Sequence, residues 1–171
     1  MSNQWQRIVI SESTIFIIHL ADRTHWVTLT NIDFRKVRIS KKTFDASKSE
    51  WFLYDSLYSP DLLKSASLRN FLTKLYSHAN MSGRFQLLIP DVQQQEGKVD
   101  CGLFALAIAY ELARQNNPSG CRFDQYAMRD HFRNMVATNN FVAFPLLSNT
   151  LAFNNSYESK AFNLKKKPNL D

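Results

Sequence analysis

The chain has 171 residues, 44% of them hydrophobic, with 21 basic against 15 acidic side chains and a formal net charge of +6. That length suits one compact domain with its own core and is short for two. Four glycines, five prolines and no repeated tract argue against disordered and solenoid architectures.

The positive excess is clustered at Arg35, Lys36 and Arg38, at Lys41 and Lys42, and at Lys165 to Lys167. Such runs read first as solvated loop and tail charge, and second as attraction to an acidic protein or nucleic acid. No zinc-finger, basic-zipper or RNA-recognition signature accompanies them, so nucleic acid is not expected as the primary partner. Met1 to Arg7 is polar and lacks the apolar core of a signal peptide, and no apolar run reaches the length of a membrane span. Cys101 and Cys121 alone make no disulfide framework, so a reducing intracellular compartment is expected. No metal or other cofactor is expected.

Ile15 to Leu20 and His25 to Ile32 are short β-branched and aromatic runs that read as strands around the polar turn Ala21 to Thr24. Asp33 to Glu50 is charged and irregular, with one possible edge strand at Val37 to Ser40, and Trp51 to Asp55 resumes strand character. Leu68, Phe71, Leu72 and Leu75 give Ser67 to Tyr76 the spacing of a helix with one buried face. Phe85 to Ile89 is a buried strand ended by Pro90, and Asp91 to Asp100 is a polar loop. From Cys101 to about Arg114 the chain is almost wholly apolar and alanine-rich, a helix buried on most sides and stopped by Asn116-Asn117-Pro118. Asp124 to Val136 is an amphipathic helix with Asp124 as its N-cap. The layout is α+β, a small antiparallel sheet with a buried central helix. Residues 1–150 form the domain and 151–171 a loose basic tail.

Cys101 stands where a polar loop meets the start of the central helix. Unpaired N–H groups and the dipole at a helix N-terminus favour a thiolate, and so does a nearby imidazolium. A nucleophile needs a base, and the base needs a group to hold its tautomer. His25 opens one strand and Asp55 closes another, so antiparallel pairing of the two would make them neighbours at one sheet edge. His19, His78 and His131 read as structural. A tetrahedral intermediate also needs donors for its oxyanion, and Gln93, Gln94 and Gln95 all lie just upstream of Cys101.

The order His25-Trp26, Tyr54-Asp55-Ser56, Ile89-Pro90, Gln95 and Asp100-Cys101-Gly102 resembles the ubiquitin-like-protein proteases. These are the SUMO-specific proteases and their transposon-borne relatives, related in fold to the adenovirus protease and papain-like in architecture. The match runs from about Ile15 to Arg133, and Phe123-Asp124-Gln125 with Met128-Arg129 looks closest to the transposon-associated branch. The resemblance implies a catalytic triad of His25, Asp55 and Cys101, with Gln95 as oxyanion donor. It also implies Trp26 as one wall of a narrow tunnel for the substrate's Gly-Gly end. Three departures are visible. The family's N-terminal helical region, whose tryptophan forms the other wall, has no counterpart, because Trp5 is too near His25. The His25 to Asp55 interval is long, as if an insertion lay within Asp33 to Glu50. Cys121 has no family role.

The function expected is a thiol peptidase or isopeptidase that cleaves after the glycine-ended C-terminus of a ubiquitin-like modifier or similar protein. A second reading is an inactive, domesticated or truncated relative that binds a protein partner. A third is a basic nucleic-acid-associated domain of a mobile element.

Overall fold

The computed structural model describes residues 13–34, 49–78, 85–147 and 157–161. Its first two strands arise from the β-branched and aromatic runs, side chains that fit a pleated, half-buried surface. β1 (Ile15–Leu20) and β2 (His25–Thr30) pair antiparallel, with Leu20 opposite His25. In the turn between them the Arg23 N–H donates to the Leu20 carbonyl at 3.0 Å. Asp22 of the same turn reaches the start of α1 (Ala66–His78). Its carboxylate accepts from the Ala66 N–H at 2.8 Å and from the Ser65 hydroxyl at 2.9 Å. A carboxylate there satisfies a free helix N–H and meets the positive end of the dipole. Hydrogen bonds, that of Ser67 foremost, hold the Asp22 carboxyl below its ordinary range. The hairpin is thereby tied to α1.

β3 (Ser49–Tyr54) lies antiparallel beside β2, with Thr28 opposite Tyr54 and Thr30 opposite Phe52. No strand separates them, as the proximity of His25 and Asp55 requires. The edge strand expected at Val37 to Ser40 lies outside the described residues.

β4 (Phe85–Pro90) runs parallel to β3, with Ser49 opposite Phe85. The sheet is therefore mixed, where an antiparallel one was expected. The cause is α1, which carries the chain back to the starting end of β3 before β4 begins, as a crossover connection must. β5 (Tyr157–Ala161) then pairs antiparallel with β4, giving the order β1-β2-β3-β4-β5. It falls within the stretch expected to be a loose tail. With little apolar content to announce it, this strand is specified by its backbone pairing with β4. Lys165 to Lys167 lie outside the described residues.

Strand alternation divides the core between two faces of the sheet. On one, Leu20, Val27, Leu29, Trp51 and Leu53 pack with Leu68, Leu72 and Leu75 of α1. On the other, Phe52, Tyr54 and Leu88 meet Phe104, Ala107, Ile108 and Leu112 of α2 (Cys101–Ala113). α3 (Gln125–Thr138) adds Met128 and Met135 to that second cluster, which explains why α2 is apolar around so much of its circumference. Asp124 caps α3 as expected, its carboxylate accepting from the Ala127 N–H at 3.3 Å. Each fully buried leucine stabilises the fold by about 1.5–3 kcal/mol relative to exposure. Among the described residues no helix is long and apolar enough to cross a membrane.

Two contacts fix how α2 lies on β2. Gly102 faces Trp26, where an added Cβ would stand 3.5 Å from Trp26 Cδ1. Farther along, the Thr28 hydroxyl donates to the Ala105 carbonyl at 2.8 Å, a fully buried bond. Helix and strand therefore run in the same direction, and the Cys101 end of α2 coincides with the His25 end of β2. Changing Thr28 to valine keeps the shape and removes the bond. Unfolding in urea should show a loss of about 1 kcal/mol, and no loss would mean that the bond does not anchor α2.

Candidate active site

His25 and Asp55 come from adjacent strand ends and meet directly. His25 Nε2 donates to Asp55 Oδ1 at 2.6 Å, and both residues are buried. The same carboxylate oxygen accepts from the Leu57 N–H at 2.9 Å. That bond closes a turn on the Asp55 side chain and holds the carboxylate in place. With Nε2 engaged, Nδ1 is the ring nitrogen left for exchanging a proton.

Cys101 is the first residue of α2 and is buried at 5% exposure. It lines a cleft of about 750 Å³ together with Thr24, Trp26, Gly102 and Arg129. Thr24 and Trp26 are the neighbours of His25 on either side, so the cleft runs along the start of β2. Trp26 is 39% exposed and packs at a tilt against His19, with ring centroids 4.7 Å apart and planes 36° apart. It thus offers a fixed aromatic wall beside the thiol.

Asp100, at the N-cap of α2, makes no side-chain cap bond. Its carboxylate turns to α3 instead, pairing with Arg129 and accepting from Gln125 Nε2 at 2.9 Å. Two consequences follow. The first-turn N–H groups of α2 are not spent on that carboxylate and can serve an anion at Cys101. In addition, the Arg129 guanidinium offsets the negative charge of Asp100, the residue before Cys101.

The three glutamines of the preceding loop separate cleanly. Gln93 bridges the backbone of Phe123, donating to its carbonyl at 3.1 Å and accepting from its N–H at 2.6 Å. Gln94 accepts from the Tyr58 N–H at 2.9 Å and donates to the Asp55 carbonyl at 3.1 Å. Gln95 is buried, accepts from the Ser56 hydroxyl at 2.9 Å and donates to the Gly97 carbonyl at 3.1 Å. A carboxamide nitrogen carries two hydrogens, and the Gly97 carbonyl takes one of them. From outside, Gln125 grips Glu96 by both backbone groups, accepting from its N–H and donating to its carbonyl at 2.8 Å each.

A histidine–carboxylate pair, a cysteine at a helix mouth and a glutamine loop now stand at one end of the sheet. The profile of the Ulp1 protease family, C-terminal catalytic domain, matches residues 2–142. The chain belongs to the Ulp1 protease family. Among solved structures it is similar to "SUMO protease Ulp1 with the catalytic cysteine oxidized to a sulfenic acid", at TM-score 0.48 and 18% identity. That similarity covers 74% of this chain and 53% of the other, so the chain spans about half the length of that structure. No curated protein matches the chain.

The second cysteine of this Ulp1-family domain has a different setting. Cys121 is buried, its thiol facing the Asn117 carbonyl at 3.8 Å. Burial, then the Glu111 carboxylate, pushes its pKa up to about 11. His131 packs on Phe144 with ring centroids 5.6 Å apart, a structural position. No group of three or more histidine, cysteine or acidic side chains among the described residues could hold a metal ion. Sequence reading assigned no role to Arg129 or Gln125. The signal available for them was their spacing, since residues four apart on a helix share a face and can grip one loop together.

Proposed function

We propose that this chain is a thiol peptidase or isopeptidase that cleaves after the glycine-ended C-terminus of a ubiquitin-like modifier or similar protein. The observation that carries the reading is the buried 2.6 Å bond between His25 and Asp55 at the end of the sheet where α2 begins with Cys101. Asp55 holds the imidazole with Nε2 protonated, leaving Nδ1 to take the Cys101 proton. The thiolate attacks the scissile carbonyl carbon, forming a C–S bond and an oxyanion. The Cys101 N–H and Gln95 Nε2 donate to that oxyanion. His25 then protonates the departing amine as the C–N bond breaks. Water, deprotonated by His25, attacks the thioester and releases the carboxylate and the thiol. Trp26 walls the cleft, where glycines pass because they carry no side chain to meet the ring.

The test is a panel of ubiquitin and SUMO probes, each ending in a C-terminal vinyl sulfone, alongside iodoacetamide. A probe should attach to Cys101 alone, as read by peptide mass spectrometry, and Cys101→Ala should abolish attachment. Cys121 should stay free at neutral pH, because a thiol with a pKa near about 11 is almost wholly protonated there. If iodoacetamide finds Cys101 and no modifier probe does, cleavage of ubiquitin or SUMO is excluded and a binding role is favoured. If neither reagent distinguishes the two cysteines, the nucleophile assignment fails.

A further inference from the structure

Ser56 is 2% exposed, and it holds the buried Gln95 by two bonds. Its carbonyl accepts from the Gln95 N–H at 2.7 Å, and its hydroxyl donates to Gln95 Oε1 at 2.9 Å. At the other end of the same carboxamide the Gly97 carbonyl takes one Nε2 hydrogen. A carbonyl can only accept, so it keeps the nitrogen on its side, and the Ser56 hydroxyl fixes the oxygen on the other. The plane of the carboxamide is thus set from both ends, and the direction of the remaining N–H with it.

We infer that Ser56 is a positioning residue for the peptidase reaction, orienting the Gln95 carboxamide towards the oxyanion. The inference rests on the function proposed above. It has a structural consequence: consecutive residues serve the two halves of the chemistry. Asp55 orients the base and Ser56 orients the oxyanion donor, so the turn keeps both in register with each other. Without the hydroxyl, a buried Oε1 loses its donor, and the carboxamide rotates to find another. A displacement of that kind weakens a bond made only in the transition state.

The test compares two reactions of Cys101 in the 171-residue chain. Acylation by N-acetyl-Gly-Gly p-nitrophenyl ester passes through an oxyanion, whereas alkylation by iodoacetamide does not. Both rates are followed at Cys101 by mass spectrometry. Ser56→Ala should slow acylation about 10- to 100-fold and leave alkylation unchanged. Ser56→Thr, which keeps a hydroxyl, should restore much of the rate. In a Gln95→Ala background, Ser56→Ala should add nothing further. Should the alanine variant fail to fold, Ser56→Cys gives the same comparison with a much weaker donor. Equal slowing of both reactions, or a full further loss in the Gln95→Ala background, would overturn the role. A silent Ser56→Ala beside a damaging Gln95→Ala removes Ser56 alone. A silent Gln95→Ala removes the oxyanion donor itself, and Ser56 with it.

Discussion

Replacing His25 with alanine is expected to lower kcat near neutral pH by about 10⁶-fold, the scale on which loss of a triad's histidine acts. The proton of Cys101 then has no imidazole to receive it, and the leaving amine has no acid to protonate it. Thiolate must then form by exchange with water, which higher pH favours. Labelling of Cys101 should therefore climb with pH and recover in part. Turnover should recover less, because the leaving group still lacks its acid. The pH profile separates this from simple damage to the fold, which would not be repaired by alkali. Asp55→Asn offers a graded companion, since its Oδ1 still accepts from His25 Nε2 and the Leu57 N–H, and its loss should be milder. An His25→Ala variant that is folded and turns over at the parent rate would sink the mechanism.

Replacing Gln95 with alanine should lower turnover by roughly 10²–10³-fold, as removal of an oxyanion donor does elsewhere. The loss should fall on kcat, because the developing charge exists only in the transition state. Gln93→Ala and Gln94→Ala are the controls, and their different bonds make them informative. Gln93 secures Phe123 across the loop, and Gln94 secures Tyr58 and the Asp55 carbonyl. Neither makes the carboxamide-to-Gly97 arrangement of Gln95, so both should lower thermal stability more than they lower kcat. Equal effects on turnover from all three would mean that the loop is merely packed, and Gln95 would leave the site.

The local elements of this protein were legible in the amino-acid sequence, and for a local reason. Leu68, Phe71, Leu72 and Leu75 repeat at helical spacing, and Leu68, Leu72 and Leu75 are buried on the core face of α1. The apolar run after Cys101 has the length and alanine content of a buried helix, and α2 spans Cys101–Ala113. His25, Asp55 and Cys101 stood out as candidates because strand ends and a helix start are local signals, whereas Gln95 was set apart from Gln93 and Gln94 only by the family resemblance. What the sequence could not determine was pairing at a distance. The parallel register of β3 and β4 depends on where α1 returns the chain, and β5 depends on a partner more than sixty residues earlier, Pro90 facing Tyr157. Asp100 reads as the end of a polar loop, and nothing in the sequence announces that Arg129 and Gln125 of α3 hold its carboxylate. Ser56 reads as a turn residue, and only folding brings Gln95 to its hydroxyl. Periodicity and end signals report which face of an element will be buried. Which polar group waits on the neighbouring element is decided by packing, because a hydrogen bond has short reach and no sequence period.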